Sequence, residues 1–61
     1  MTKLEHVEYV NATIKELNDL CTDIYEAMMD MEDKTVIDKC VEMQKLIKQI
    51  QIEYTDETLL Q

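Results

Sequence analysis

Between Val7 and Met31, eight apolar residues recur at alternating steps of three and four: Val7, Val10, Ile14, Leu17, Cys21, Ile24, Met28 and Met31. With Val7 at heptad position a, the a positions are Val7, Ile14, Cys21 and Met28. The d positions are Val10, Leu17, Ile24 and Met31. A period of 3.5 with every a and d apolar describes a long helix built to pack against other helices. Leu20 and Ala27 at g, and Tyr25 at e, widen the stripe in its second half. A face wider than a and d suits a bundle better than a two-stranded coiled coil.

The stripe does not continue through the rest of the chain. Extending its register puts Thr35, Asp38, Glu42, Lys45 and Gln49 on the seam, and all five are polar. A second stripe replaces it: Val36, Cys40, Met43, Ile47, Ile50 and Tyr54, with Val36, Met43 and Ile50 at d. At ~100° per residue, a straight helix would set the two stripes roughly 140° apart. One rod would then need partners on nearly opposite sides. A chain reversal lets the stripes face each other. Four polar residues, Glu32-Asp33-Lys34-Thr35, sit between them.

The sequence therefore predicts an all-α fold of one domain, an antiparallel two-helix hairpin. Helix 1 spans about 3–31, the turn about 32–35 and helix 2 about 36–54, with a C-terminal tail at 55–61. Thr2-Lys3-Leu4-Glu5 matches the capping box, with Thr2 accepting from the backbone three residues on. Asp33 or Thr35 is the expected cap of helix 2. The chain contains neither Gly nor Pro, which removes the usual devices for β-hairpins and counts against a tight turn.

Sixty-one residues bury a modest core, and chains of this size lean on disulfides, metal or oligomerisation. Cys21 and Cys40 are both seam positions. With a turn near Asp33 they are offset by roughly 7–8 Å along the bundle, awkward for an intrachain disulfide. They read as small buried core residues. Self-association is the expected reinforcement: a twofold homodimer forming an antiparallel four-helix bundle. The core and self-association set is Val7, Val10, Ile14, Leu17, Leu20, Cys21, Ile24, Met28 and Met31 from helix 1. Helix 2 adds Val36, Cys40, Met43, Leu46, Ile47, Ile50 and Tyr54.

Fourteen acids against six lysines give a formal charge of −8. Such a surface repels phosphates and anionic lipid. The expected partner is another protein, with a basic surface, and not nucleic acid or membrane. The acids gather on the outer face of helix 1, where Glu16, Asp19, Asp23 and Glu26 are candidate partner-binding residues. Met29, Ile37, Val41 and Ile52 fall off the seams and supply candidate apolar contacts. No basic segment followed by an apolar run opens the chain, and no apolar stretch approaches the ~18 residues of a membrane span. The expectation is a cytoplasmic protein with reduced thiols. Poverty in Gly, Pro, Arg and Trp points to an AT-rich coding sequence, of the kind carried by phages, mobile elements and low-GC bacteria.

Nothing in the residues suggests catalysis or a cofactor. No Ser-His-Asp or Cys-His set has a plausible meeting point, and a Gly-rich phosphate loop is impossible without Gly. His6, the one histidine, lacks the Glu-x-x-His spacing of diiron bundles, and with two distant cysteines it is poor zinc material. The Ser-Gln-Glu-Leu-Asp motif of the short helical-hairpin phosphatases that act on response regulators is absent. The leading expectation is a non-enzymatic regulator or adaptor acting through protein–protein contacts. Two alternatives stand beside it. One is an acidic, phage-encoded inhibitor that mimics nucleic acid and blocks a basic host protein. The other is a structural subunit of a larger helical complex.

Overall fold

The computed structural model describes residues 2–60, and the side chains of residues 2–55. Two helices, α1 (Lys3–Met29) and α2 (Asp33–Leu60), pack against each other as a hairpin. The Cα trace spans 45 × 23 × 10 Å. That thickness is one helix, so the chain forms a single layer, whereas stable domains bury their faces between two.

The start of α1 follows the capping-box reading. Thr2 is extended, and its Oγ1 accepts from the Glu5 N–H at 3.1 Å. Glu5 also lies in the first turn, where the helix dipole favours an acid.

The reversal falls earlier than expected. α1 ends at Met29, residues 30–32 make the turn, and α2 begins at Asp33. The Met31 N–H donates to Met28 O at 3.2 Å and the Glu32 N–H to Ala27 O at 2.9 Å. This pair of bonds is the Schellman motif, which satisfies orphan carbonyls at a helix C-terminus. It needs one residue in the left-handed region, normally glycine. Here Met31 takes that place at φ 58°. With no glycine to mark the site, the polar run 32–35 was the only visible turn signal, and it overshoots. Asp33 and Thr35 are consequently inside α2 and do not cap it from outside. Asp33 opens the first turn, and the Thr35 hydroxyl donates to the Glu32 carboxylate at 3.3 Å. The predicted tail is also corrected, because α2 runs on to Leu60 without a helix breaker. Gln61 lies outside the described residues.

The two helices meet on a different stripe from the expected a/d seam. Leu20 and Ala27, both at g, are the only buried side chains among the described residues, 7% and 4% exposed. Val10, Leu17 and Ile24 at d are half-buried beside them, facing Val36, Cys40, Met43, Leu46 and Ile50 of α2. The hairpin thus closes on d and g, and the a column is turned aside. Near a three-residue turn the axes approach closely, so a small residue must face inward there. Ala27 fits that place and its neighbour Met28 does not.

Candidate functional site

Contacts across the hairpin fix which residues stand level. The Tyr9 hydroxyl donates to the Glu53 carboxylate, and Lys39 Nζ lies 3.5 Å from Asp23 Oδ2. Each pair sits at equal distances in sequence either side of Met31. The same relation holds along the whole hairpin and defines its two broad faces.

One face is polar. Glu16, Asp19 and Asp23 of α1 and Lys39, Glu42, Lys45 and Gln49 of α2 flank an open groove floored by Leu20 and Leu46. Lys39 reaches both Asp23 and, at 3.7 Å, Glu42. Its side chain is about a third exposed, so the pair is worth little more than an ordinary surface ion pair. Lys15–Asp19 and Lys34–Asp38 are exposed i,i+4 pairs at 3.1 and 3.0 Å. Glu26 borders a second groove near Ala27. The candidate acids Glu16, Asp19, Asp23 and Glu26 are therefore gathered on this side, but interleaved with lysines of α2.

The opposite face carries the a and e positions of both helices. Over residues 4–28 these are Leu4, Val7, Asn11, Ile14, Asn18, Cys21, Tyr25 and Met28. Over residues 36–54 they are Ile37, Cys40, Gln44, Ile47, Gln51 and Tyr54. Not one of the fourteen is charged, and the first charged a position of α2 is Asp33, which opens the helix beside the turn. The chain is 33% charged, so fourteen unselected positions would hold about five charges. The face is also ordered into level rungs. From the open end they run Val7–Tyr54, Asn11–Gln51, Ile14–Ile47, Asn18–Gln44, Cys21–Cys40 and Tyr25–Ile37. Apolar rungs alternate with amide rungs through the first four. The signal missed at the sequence level was this absence of charge at e, which singles out Asn11, Asn18, Gln44 and Gln51.

Most of this face is open to solvent. Val7, Ile14, Tyr25, Met28, Ile37, Ile47 and Tyr54 are all exposed, Ile14 by 48% and Ile47 by 42%. Met29, Val41 and Ile52 are exposed at its margin or beyond. Met31, expected on the seam, is 84% exposed at the turn. A compact monomer of 7.2 kDa presents about 4,100 Å² to solvent. This hairpin presents 5262 Å², an excess of about 1,100 Å². A standard interface covers about 800 Å² per partner.

The cysteine geometry needs correcting. With the turn at Met31, Cys21 lies ten residues before it and Cys40 nine after. Their axial offset is about 1.5 Å, not 7–8 Å. Both thiols are nevertheless free, Cys21 exposed and Cys40 half-buried.

Little else in the molecule offers chemistry. His6 is exposed near the open end. Among the described residues no group of His, Cys, Asp and Glu is arranged to hold a metal ion, and no helix is long and apolar enough to cross a membrane. Tyr9 carries a perturbed phenol. Its hydrogen bond to Glu53 raises the phenol above its ordinary value of 10.0, helped by partial burial and the carboxylate charge. Comparison with family models, with curated proteins and with solved structures finds no match to this chain.

Proposed function

We propose that this chain is a non-enzymatic interaction module, a helical hairpin that self-associates through its uncharged face and meets other proteins with its acidic outer face. The four-helix bundle supplies the second layer that the lone hairpin lacks. The observation that carries the reading is the run of fourteen uncharged a and e positions, spread over two helices and brought to one side by the turn. Its exposed apolar side chains, gathered on one side, are of the kind that mark an interaction surface. The acids at c and f of α1 then lie on the far side, where they keep the assembly soluble and favour partners of opposite sign. The regulator or adaptor role follows from a scaffold that offers contact surfaces and no reactive constellation. The acidic-mimic alternative gains less support, because lysines 39 and 45 interrupt the acids of the groove.

Sedimentation equilibrium across micromolar concentrations is the test. The expected mass is twice 7.2 kDa, and Ile14→Glu or Ile47→Glu should shift the chain to monomer. A strongly helical monomer at every concentration would remove the proposal.

A further inference from the structure

The ladder also constrains how a second copy sits, an inference resting on the self-association proposed above. Two twofold arrangements cover the face. In one, turn lies beside turn and α1 covers the second copy's α2. In the other, the copies lie head to tail and each helix covers its own counterpart. We infer that the copies pair head to tail, with the twofold axis passing through the Asn18–Gln44 rung.

The first argument is length. Asn18 lies thirteen residues before Met31 and Gln44 thirteen after, close to the middle of a hairpin that runs twenty-eight residues from Met31 to Lys3. An axis there overlays the whole of one copy on the other with no overhang. The second is register, since the Asn18–Gln44 rung then meets its own copy while the Asn11–Gln51 rung meets Tyr25 and Ile37 of the second copy. Each side-chain amide both donates and accepts, so the central rung meeting its own copy satisfies itself, and a buried amide of this kind fixes register. The third is size. The Ile14–Ile47 rung falls on the second copy's Cys21–Cys40 rung, large against small, as tight interdigitation requires. Stacking turn on turn would instead gather four thiols in one thin layer.

Rim charge points the same way. The charged residues at b, beside the face, are Glu8, Lys15, Lys34 and Lys48. Turn beside turn brings Lys15 level with the second copy's Lys48, a like-charge contact. Head to tail brings Lys15 level with Thr22 and Lys48 level with Val41. The acids of α1 other than Glu8, which would disfavour α1 on α1, sit at c and f. They point away from the interface, where salt screens them over about 10 Å.

Thiol cross-linking reads the arrangement directly. Mild oxidation with diamide takes two electrons and two protons from a thiol pair and leaves a disulfide and the hydrazine. Head-to-tail pairing keeps Cys21 about 9 Å along the bundle from the second copy's Cys21 and Cys40 about 12 Å from its own counterpart, so the unaltered protein should give no covalent dimer. Ile14→Cys should cross-link most of the protein to the second copy's Cys21, and the product should vanish when Cys21→Ala is added. Ile47→Cys should behave likewise through Cys40, and it serves if the first variant folds poorly. A covalent dimer from the unaltered chain would establish turn beside turn and overturn the inference. A non-covalent dimer in which neither variant cross-links would overturn it too. A monomer in the sedimentation experiment would instead defeat the parent proposal of self-association.

Discussion

Replacing Met31 with glycine should stabilise the protein, although it deletes a large apolar side chain. Met31 holds the left-handed position of the Schellman turn at φ 58°. For a residue with a Cβ this conformation costs roughly 1–2 kcal/mol. Its side chain is 84% exposed, so truncation gives up little burial. Glycine removes the steric cost but enlarges the unfolded ensemble, at about 0.4–1 kcal/mol. The balance is a gain of about 1 kcal/mol per chain. For a chain this short, with a urea m-value near 1 kcal/mol/M, the unfolding midpoint should rise by about 1 M. Circular dichroism at a fixed protein concentration reads this, since association would make the midpoint concentration-dependent. Met31→Val is the matched control. A β-branched residue tolerates positive φ least, so its midpoint should fall. If Met31→Gly lowers the midpoint or leaves it unchanged, the left-handed residue is not a source of strain and the account of the turn is wrong.

Two further outcomes test the packing and the open end. Ala27→Leu, at a buried position close to the turn, should cost about 1–3 kcal/mol by overpacking, measured by the same urea titration; a neutral result would mean that the helices do not need a small residue there. In an alkaline titration followed by tyrosinate absorbance, Tyr9 should ionise later than an ordinary phenol, because the Glu53 hydrogen bond holds its proton. A raised folded-state value means that the stabilisation is complete below the unfolded-state value of about 10 and is lost as pH climbs through the folded value. Glu53→Gln should bring the late component back towards 10, and a late component that survives the substitution would assign it elsewhere.

The hairpin was legible because its two stripes differ in phase, and no straight helix can present both to one neighbour. The start of α1 was legible in Thr2 and Glu5, where capping chemistry is local. The turn was not, because the residue that makes it is apolar and continues the stripe. Met31 reads as seam and acts as a glycine would. The inward-facing third of each helix was also hidden. Hydropathy ranks Val7, Ile14 and Cys21 with Val10, Leu17 and Ile24, and does not single out Leu20 and Ala27 as the buried pair. Of the candidate partner residues, Glu16, Asp19 and Asp23 do share one groove. The amides of the ladder were overlooked because polar residues on a helix ordinarily signal solvent.

The turn also governs which changes of length the chain can accept. Level rungs exist because three residues join α1 to α2. One residue added between Asp30 and Glu32 would rotate α2 by ~100° and slide it by ~1.5 Å against α1. The a and e positions of α2 would swing out of the common face, and charged positions would enter it. A substitution at the turn changes stability by a single increment, whereas an insertion rewrites every rung at once. In this hairpin the number of turn residues decides more about how the two faces line up than their identity does.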